Sequence, residues 1–213
     1  MKTIEKAILL GLILTVLFSL TGFSGKCATI EEKVFRLHVL ANSDSDEDQA
    51  LKLKVRDKII EYSDDLFKDV DTREEAEQIA LYNLDNIKEV ALNEIHNQGY
   101  DYNVTVKLEN VYFNTRHYKE VTLPAGNYDA LRVIIGSGKG QNWWCVMFPQ
   151  MCLPTAEEPK ELSNVLNDAE MDLVEGGTKY ELKFKCIETF ESLRNQIETF
   201  QRDNWLVNGL DKV

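Results

Sequence analysis

The sequence contains few of the residues from which metal centres and hydrolase sites are usually built. It has three histidines, His38, His96 and His117, and none lies in a metal-binding spacing such as His-x-x-x-His. The four cysteines form no Cys-x-x-Cys pair, and no Gly-x-Ser-x-Gly nucleophile motif is present. The sequence therefore predicts no catalytic residue, no metal and no cofactor. A hydrolase whose catalytic residues are dispersed along the chain remains the alternative.

The chain also lacks an excess of basic residues. It carries 24 Lys+Arg against 36 Asp+Glu, which gives a net charge of -12 at pH 7. Nucleic-acid binding draws most of its affinity from cationic side chains that neutralise phosphates. An acidic chain without a basic tract is therefore a poor candidate for binding nucleic acid, and equally poor as a polybasic binder of anionic lipid. The simplest interpretation of the negative net charge is a solvated acidic surface that keeps the protein soluble.

One segment lacks charge altogether, and it lies close to the N-terminus. Lys2 and Lys6 precede an uncharged, mainly apolar run from Ala7 to Gly25. This order is typical of a secretory signal peptide. The run also approaches the roughly 20 residues that span a bilayer, so a retained signal anchor is the alternative. A lipoprotein is not expected at Cys27, because Lys26 stands where lipid attachment requires a small residue.

The rest of the chain is predicted to be one exported domain. We expect a signal peptide or signal anchor in residues 1–28 and a single globular domain in residues 32–213. This domain is either secreted or tethered by residues 7–25.

Hydrophobic periodicity and capping residues predict the elements of this domain. Alternating residues predict strands at Val34–Ala41, Tyr102–Glu109, Tyr128–Ile135, Trp143–Phe148 and Tyr180–Lys185. Capping boxes and helical spacing predict helices at Asp46–Tyr62, Arg73–Asn97, Leu162–Met171 and Ile187–Phe200. The strands at 128–135 and 143–148 are predicted to form a hairpin around a glycine-rich loop. This order predicts the α+β class, with helices packed on a mainly antiparallel sheet.

Two short segments are candidates for contact with a partner protein. The first is the acidic turn after the first strand, with Asn42, Asp44 and Asp46, although these side chains could simply cap backbone amides. The second is the glycine-rich loop, where glycines leave the backbone open to close approach. Two tryptophans follow it on a strand and so point to opposite faces, which predicts one core residue and one interface anchor. The residues of the second segment are Gly136, Gly138, Gly140, Trp143 and Trp144.

Cys145 and Cys152 form a candidate disulfide. They flank a segment that contains Pro149, which could turn the chain enough to bring the two residues within bonding range. Such a bond persists outside the cytoplasm. The alternative is a pair of small buried residues at the end of a strand.

Two long stretches resemble the stage II sporulation protein R family. The first is FRLHVLANSDSDEDQALKLKVRD, residues 35–57, and the second is LPAGNYDALRVIIGSGKGQNWWCVMFPQMC, residues 123–152. The resemblance implies a protein that is made in the forespore and exported into the space between the forespore and mother-cell membranes. There it would activate a membrane-embedded aspartic protease of the mother cell, which cleaves the sigma-E precursor.

The resemblance also implies that the chain acts as a signal and is not an enzyme, and it transfers no catalytic residue. We therefore expect the membrane-embedded protease as partner, no nucleic acid, and membrane contact through the N-terminal helix only. The competing hypotheses are an exported hydrolase of the cell envelope with a dispersed catalytic site, and a structural envelope protein that keeps its anchor.

Overall fold

The computed structural model describes residues 3–118, 121–149 and 162–210, and these residues adopt the predicted α+β class. The helices are α1 (Thr3–Glu31), α2 (Asp46–Phe67), α3 (Arg73–Tyr82), α4 (Leu84–Asn97), α5 (Asp168–Glu175) and α6 (Gly177–Leu210), with a short 3-10 helix at Leu162–Asn164. The strands are β1 (Phe35–Leu40), β2 (Val104–Phe113), β3 (Arg116–Tyr118), β4 (Val121–Leu123), β5 (Gly126–Ile135) and β6 (Asn142–Phe148).

The chain divides into two compact units. The sheet unit consists of Glu32–Val111 and Tyr128–Asn167, and the helical unit consists of Met1–Glu31, Tyr112–Asn127 and Asp168–Val213. The domain predicted over residues 32–213 contains the sheet unit and parts of the helical unit, and its behaviour as one domain stays a prediction.

The main sheet has the strand order β2-β5-β1-β6. Strand β1 runs parallel to β5 and antiparallel to β6, so the sheet is mixed. The predicted hairpin is wrong, because β1 lies between β5 and β6. All six residues of β1 are buried, as expected for a strand covered on both faces and placed inside a sheet.

The core of the sheet unit lies between one face of the sheet and the helices α2 to α4. Alternate residues of β1 and β5 meet residues that recur at helical spacing on α2 and α4. These residues are Phe35, Leu37, Val39, Leu51, Val55, Ile59, Ile87, Ala91, Ile95, Leu131 and Val133. The periodicity of the sequence thus identified the faces that pack.

Helices α2 to α4 differ from the prediction in two places. Helix α2 continues past Tyr62 to Phe67, because Phe67 is buried in the core and extends the apolar face. The single helix predicted over residues 73–97 is wrong, since Asn83 separates α3 from α4. The Nδ2 atom of Asn83 donates to the carbonyl of Ile79 at 2.8 Å, and such a local bond competes with regular helical hydrogen bonding.

The helical unit contains α1, the β3–β4 pair, α5 and α6. The strand predicted at Tyr180–Lys185 is wrong, because these residues lie in the first turns of α6. Phe184 and Ile187 are buried three residues apart, and Lys185 pairs with Glu181 across one turn at 2.9 Å. Helical spacing therefore outweighs the short alternation that suggested a strand.

Helix α1 exposes most of its described apolar side chains before residue 19, while Phe23, Cys27 and Ile30 near its end are buried. Within the part of the chain that the structure describes, no helix has the length and apolarity needed to cross a membrane.

Candidate interaction site

The sheet topology brings the two predicted contact segments together. Because β1 and β5 are adjacent and parallel, their carboxyl ends lie at the same edge of the sheet, with Leu40 opposite Ile134. The turn at residues 42–48 follows β1, and the loop at residues 136–141 follows β5. We call these two segments the turn–loop cluster.

Asn42 joins the two segments through its side chain and its backbone. Its Oδ1 accepts the backbone N–H of Ser137 at 3.0 Å. Its carbonyl oxygen accepts the Ser137 hydroxyl at 2.6 Å and the N–H of Lys139 at 3.2 Å. Asn42 therefore determines the path of the loop across the end of β1.

Asp44 and Lys52 secure the far end of the loop. The Asp44 Oδ1 atom accepts the N–H of Gln141 at 2.7 Å, and the Lys52 Nζ donates to the Gln141 carbonyl at 3.0 Å. Lys52 is buried, and this burial, with the nearby charge of Arg56, lowers the pKa of its ammonium group. The Asp44 carboxylate and the Lys52 ammonium group thus both hydrogen-bond to the backbone of the loop.

Asp48 forms the buried centre of the turn. Its Oδ2 accepts the Asn42 amide at 2.9 Å and the Ser43 hydroxyl at 2.5 Å. Burial disfavours the ionised form, but the hydrogen bonds from Ser43, Asn42 and Tyr102 outweigh it and lower the pKa of Asp48. The N-terminus of α2 forms as the capping box predicted, since the Ser45 Oγ accepts the N–H of Asp48 at 3.2 Å.

The glycines of the loop are explained by contacts inside the protein. Gly136 and Gly138 have φ angles of 57° and 63°, a region in which glycine is favoured. A side chain at Gly140 would clash with the backbone carbonyl of Ser43, and one at Gly136 would clash with the Asn42 amide. The glycines therefore allow the turn of the same protein to approach the loop backbone closely. Binding of a partner at these glycines stays a prediction.

The two tryptophans point to opposite faces of the sheet, as predicted, but the predicted core tryptophan is wrong, because neither is fully buried. Trp143 is 37% exposed, and the Arg56 guanidinium lies 4.1 Å from the centre of its ring. Trp144 is half-buried and stacks on His38 with ring centres 3.8 Å apart. Trp143 thus has the exposure of an interface anchor, held in place by a cation–π contact.

His38 is a buried neighbour of the cluster that was not predicted as a site residue. Its Nε2 lies 2.8 Å from the Oδ1 of Asn142, the first residue of β6. Burial, which outweighs this hydrogen bond, lowers the pKa of His38 to about 4, and the positive charge of Arg132 acts in the same direction. The imidazole is therefore neutral at physiological pH.

Comparison with known proteins assigns the family. The sequence model of the family described as stage II sporulation protein R matches residues 31–158. The chain belongs to this family.

A curated relative agrees with the family assignment and with the resemblance found in the sequence. Stage II sporulation protein R of Bacillus subtilis (strain 168) is 37% identical over 123 residues. The match covers 58% of this chain and 55% of the relative, so the chain spans about half the length of the curated relative. No solved structure matches. The family places this chain among sporulation proteins, and its matched range contains the whole turn–loop cluster.

Asp46, Cys145 and Cys152 are the remaining predicted residues. Asp46 is the first residue of α2 and is exposed. Cys145 is disulfide-bonded, whereas Cys27 and Cys186 are free thiols. Cys152 lies outside the described residues, so its pairing with Cys145 stays a prediction. Among the described residues, no group of three or more His, Cys, Asp and Glu side chains could hold a metal ion.

Some of the residues that build the cluster could have been found from their spacing. Asp48, Lys52 and Arg56 recur every four residues on α2, which places three charged groups on one side of the helix beside the turn. His38 lies on the same face of β1 as Arg36, as strict alternation requires. Tyr102 gave no signal, because its contact with Asp48 depends on the approach of distant segments.

Proposed function

We propose that this chain is an exported signalling protein of sporulation that activates a membrane-embedded aspartic protease in the mother cell. Activation would lead to cleavage of the sigma-E precursor. The observation that carries the proposal is the family match over residues 31–158, which is the part of the chain that contains the turn–loop cluster. The proposed role as a protease activator comes from the resemblance of residues 35–57 and 123–152 to this family.

Export of the protein is supported by the order of charge and hydropathy at the N-terminus. Lys2 and Lys6 precede the uncharged run, and α1 exposes most of its described apolar side chains before residue 19. A fusion of residues 1–30 to a reporter that is active only outside the cytoplasm tests this step. We expect reporter activity, and a reporter confined to the cytoplasm would contradict export.

The geometry of the cluster suits action by binding. Asn42, Asp44 and Asp48 hold the turn and the loop together, so the surface is organised before a partner arrives and less ordering is required on association. Exposed side chains on and beside this scaffold include Asp46, Lys139 and Trp143. We therefore assign positioning to the first group and contact with the protease to the second.

Co-expression in a host that does not sporulate tests the proposed function. The full chain is produced with the protease and the sigma-E precursor, and cleavage of the precursor is followed on gels. We expect cleavage only when the chain and an active protease are both present. An intact precursor in the presence of both folded proteins would contradict activation. Cleavage with a catalytically inactive protease would instead favour a hydrolase in the chain itself.

A further inference from the structure

Helix α6 carries two different apolar faces. Phe184 and Ile187 are buried within the protein, together with Glu191 one turn later. A second series recurs at intervals of four, four, three and four residues and is exposed along its whole length. This series, which we call the α6 stripe, consists of Leu182, Cys186, Phe190, Leu193 and Ile197.

The exposure of the α6 stripe is large for a folded protein. Each of its four apolar side chains other than Cys186 is more than half exposed. Single exposed apolar residues are ordinary, but a contiguous patch on a soluble protein usually marks a surface that binds something. The stripe lies outside residues 31–158, so the family match gives it no role.

The charges that border the α6 stripe are basic, although the chain as a whole is acidic. At 3.6 residues per turn, Lys183 and Arg194 border one side of the stripe, and Lys185 lies beyond the other side. Glu181 and Glu188 fall on the opposite side of the helix. Lys185 pairs with Glu181 at 2.9 Å, and because both side chains are exposed this pair is weak and can exchange partners. Arg194 is exposed and lies 3.8 Å from the largely buried carboxylate of Glu191.

A cleft within the helical unit adds a further cation beside this helix. It has a volume of about 300 Å³ and is lined by residues of α1, α5 and α6, including Phe18, Phe23, Lys26, Tyr180 and Lys183. Lys183 therefore borders both the stripe and the cleft. Cations, aromatic rings and an apolar stripe occur together in helices that lie on membranes with anionic lipids.

We propose that the α6 stripe docks onto a membrane surface that contains anionic phospholipid. Phe190, Leu193 and their neighbours enter the boundary between headgroups and acyl chains, while Lys183, Lys185 and Arg194 meet the phosphates. The bordering charges select this occupant over a second copy of the chain, because two such stripes would bring basic side chains together. Docking adds a second membrane contact to the one predicted for the N-terminal helix.

A fluorophore on Cys186 tests docking in the full chain, because this exposed thiol is part of the α6 stripe. A nitrobenzoxadiazole label is attached under non-reducing conditions in a Cys27→Ala background, and peptide mapping verifies its position. The labelled protein is mixed with vesicles of phosphatidylcholine, or of phosphatidylcholine with 30% phosphatidylglycerol. Because the fluorophore is attached to α6, its signal reports contact of α6 with the bilayer, independently of any contact that α1 makes.

We expect a blue shift of the label, and its quenching by brominated acyl chains, at about tenfold less lipid when phosphatidylglycerol is present. Added salt should remove this preference. An equal response to both vesicles, or none to either, would overturn the proposal. A shift without vesicles that grows with protein concentration would identify a second copy as the occupant and would also overturn it.

Matched variants separate docking from folding and from general charge. Lys183→Glu with Arg194→Glu should raise the lipid needed by about tenfold or more, whereas Lys54→Glu with Lys88→Glu in the sheet unit should leave it unchanged. Phe190→Ser should weaken docking, and Leu81→Ser, which alters an exposed leucine of α3, should not. Circular dichroism verifies the fold of each variant. Equal effects within either pair would contradict the proposal.

Discussion

The turn–loop cluster and helix α6 use their side chains in opposite ways. In the cluster, polar side chains that resemble a contact surface are largely occupied by the backbone of a neighbouring segment. In α6, the apolar residues Phe190, Leu193 and Ile197, which resemble one side of a core-facing helix, are exposed. Residue type alone therefore does not separate scaffold from contact surface. The two are distinguished by which side chains form hydrogen bonds within the protein and which side chains are exposed.

A backbone clash in the cluster should give the largest loss of stability. We expect Gly140→Ala to lower the free energy of unfolding by about 3 kcal/mol or more, because its methyl group would clash with the Ser43 carbonyl. Gly99→Ala is the control, since Gly99 has a φ of 82° but open space around it and should lose only about 1 to 2 kcal/mol. Urea unfolding measures both. Equal losses would contradict the close contact between turn and loop.

Loss of the buried carboxylate should come next. We expect Asp48→Ala to cost about 2 to 3 kcal/mol, because the Asn42 amide and the Ser43 hydroxyl lose a shared buried acceptor. Asp46→Ala, two residues earlier and exposed, should cost about 0.5 kcal/mol through the helix dipole alone. The same urea titration compares them. A stable Asp48→Ala protein would show that the turn does not depend on this residue.

Acid should weaken the sheet unit through His38. Its folded pKa of about 4 lies below its ordinary value of 6.5, so the unfolded chain takes up this proton first. Stability is complete above pH 6.5 and falls as the pH drops towards 4, by at most about 1.4 kcal/mol per pH unit. His38→Gln should flatten this slope between pH 6.5 and 4, whereas His96→Gln, at an exposed position, should retain it. If both variants keep the wild-type dependence of stability on pH, the claim that His38 is buried and neutral is refuted.

The smallest effect is expected on the exposed face of α6. Phe190→Ser and Leu193→Ser should change the free energy of unfolding by no more than about 0.5 kcal/mol, because neither side chain is buried. Phe184→Ser, on the buried face of the same helix, should cost about 3 kcal/mol. Urea unfolding again decides. A large loss for Phe190→Ser would mean that the α6 stripe belongs to the core.

Local signals in the sequence were sufficient for most elements of the sheet unit. The alternation around Phe35–Leu40 and the Ser45 cap correspond to β1 and to the start of α2. The place of β1 between β5 and β6 could not be derived in this way. Two strands joined by a short loop usually pair with each other, whereas here β1 lies between them.

The positions of the site residues were predictable, whereas the contacts that join them were not. Asn42, Asp44 and the three glycines were predicted to lie in two contact segments, and the parallel pairing of β1 with β5 brings these segments together. Their function in holding the loop depends on hydrogen bonds between residues nearly a hundred positions apart, which no local pattern encodes. The same limit applies to α6, where alternation over six residues imitated a strand inside a long helix.

The most direct test of the account is precursor cleavage by a folded Trp143→Ala protein in the co-expression assay. This variant loses one cation–π contact, so its stability should stay within about 1 kcal/mol of the wild type. Loss of an interface anchor typically costs about 2 kcal/mol or more of binding energy, so cleavage should fall sharply. Leu81→Ala, at another exposed apolar position, should cleave normally. Full cleavage with folded Trp143→Ala, or equal losses in the two variants, would contradict the assignment of Trp143, beside the turn–loop cluster, to contact with the protease.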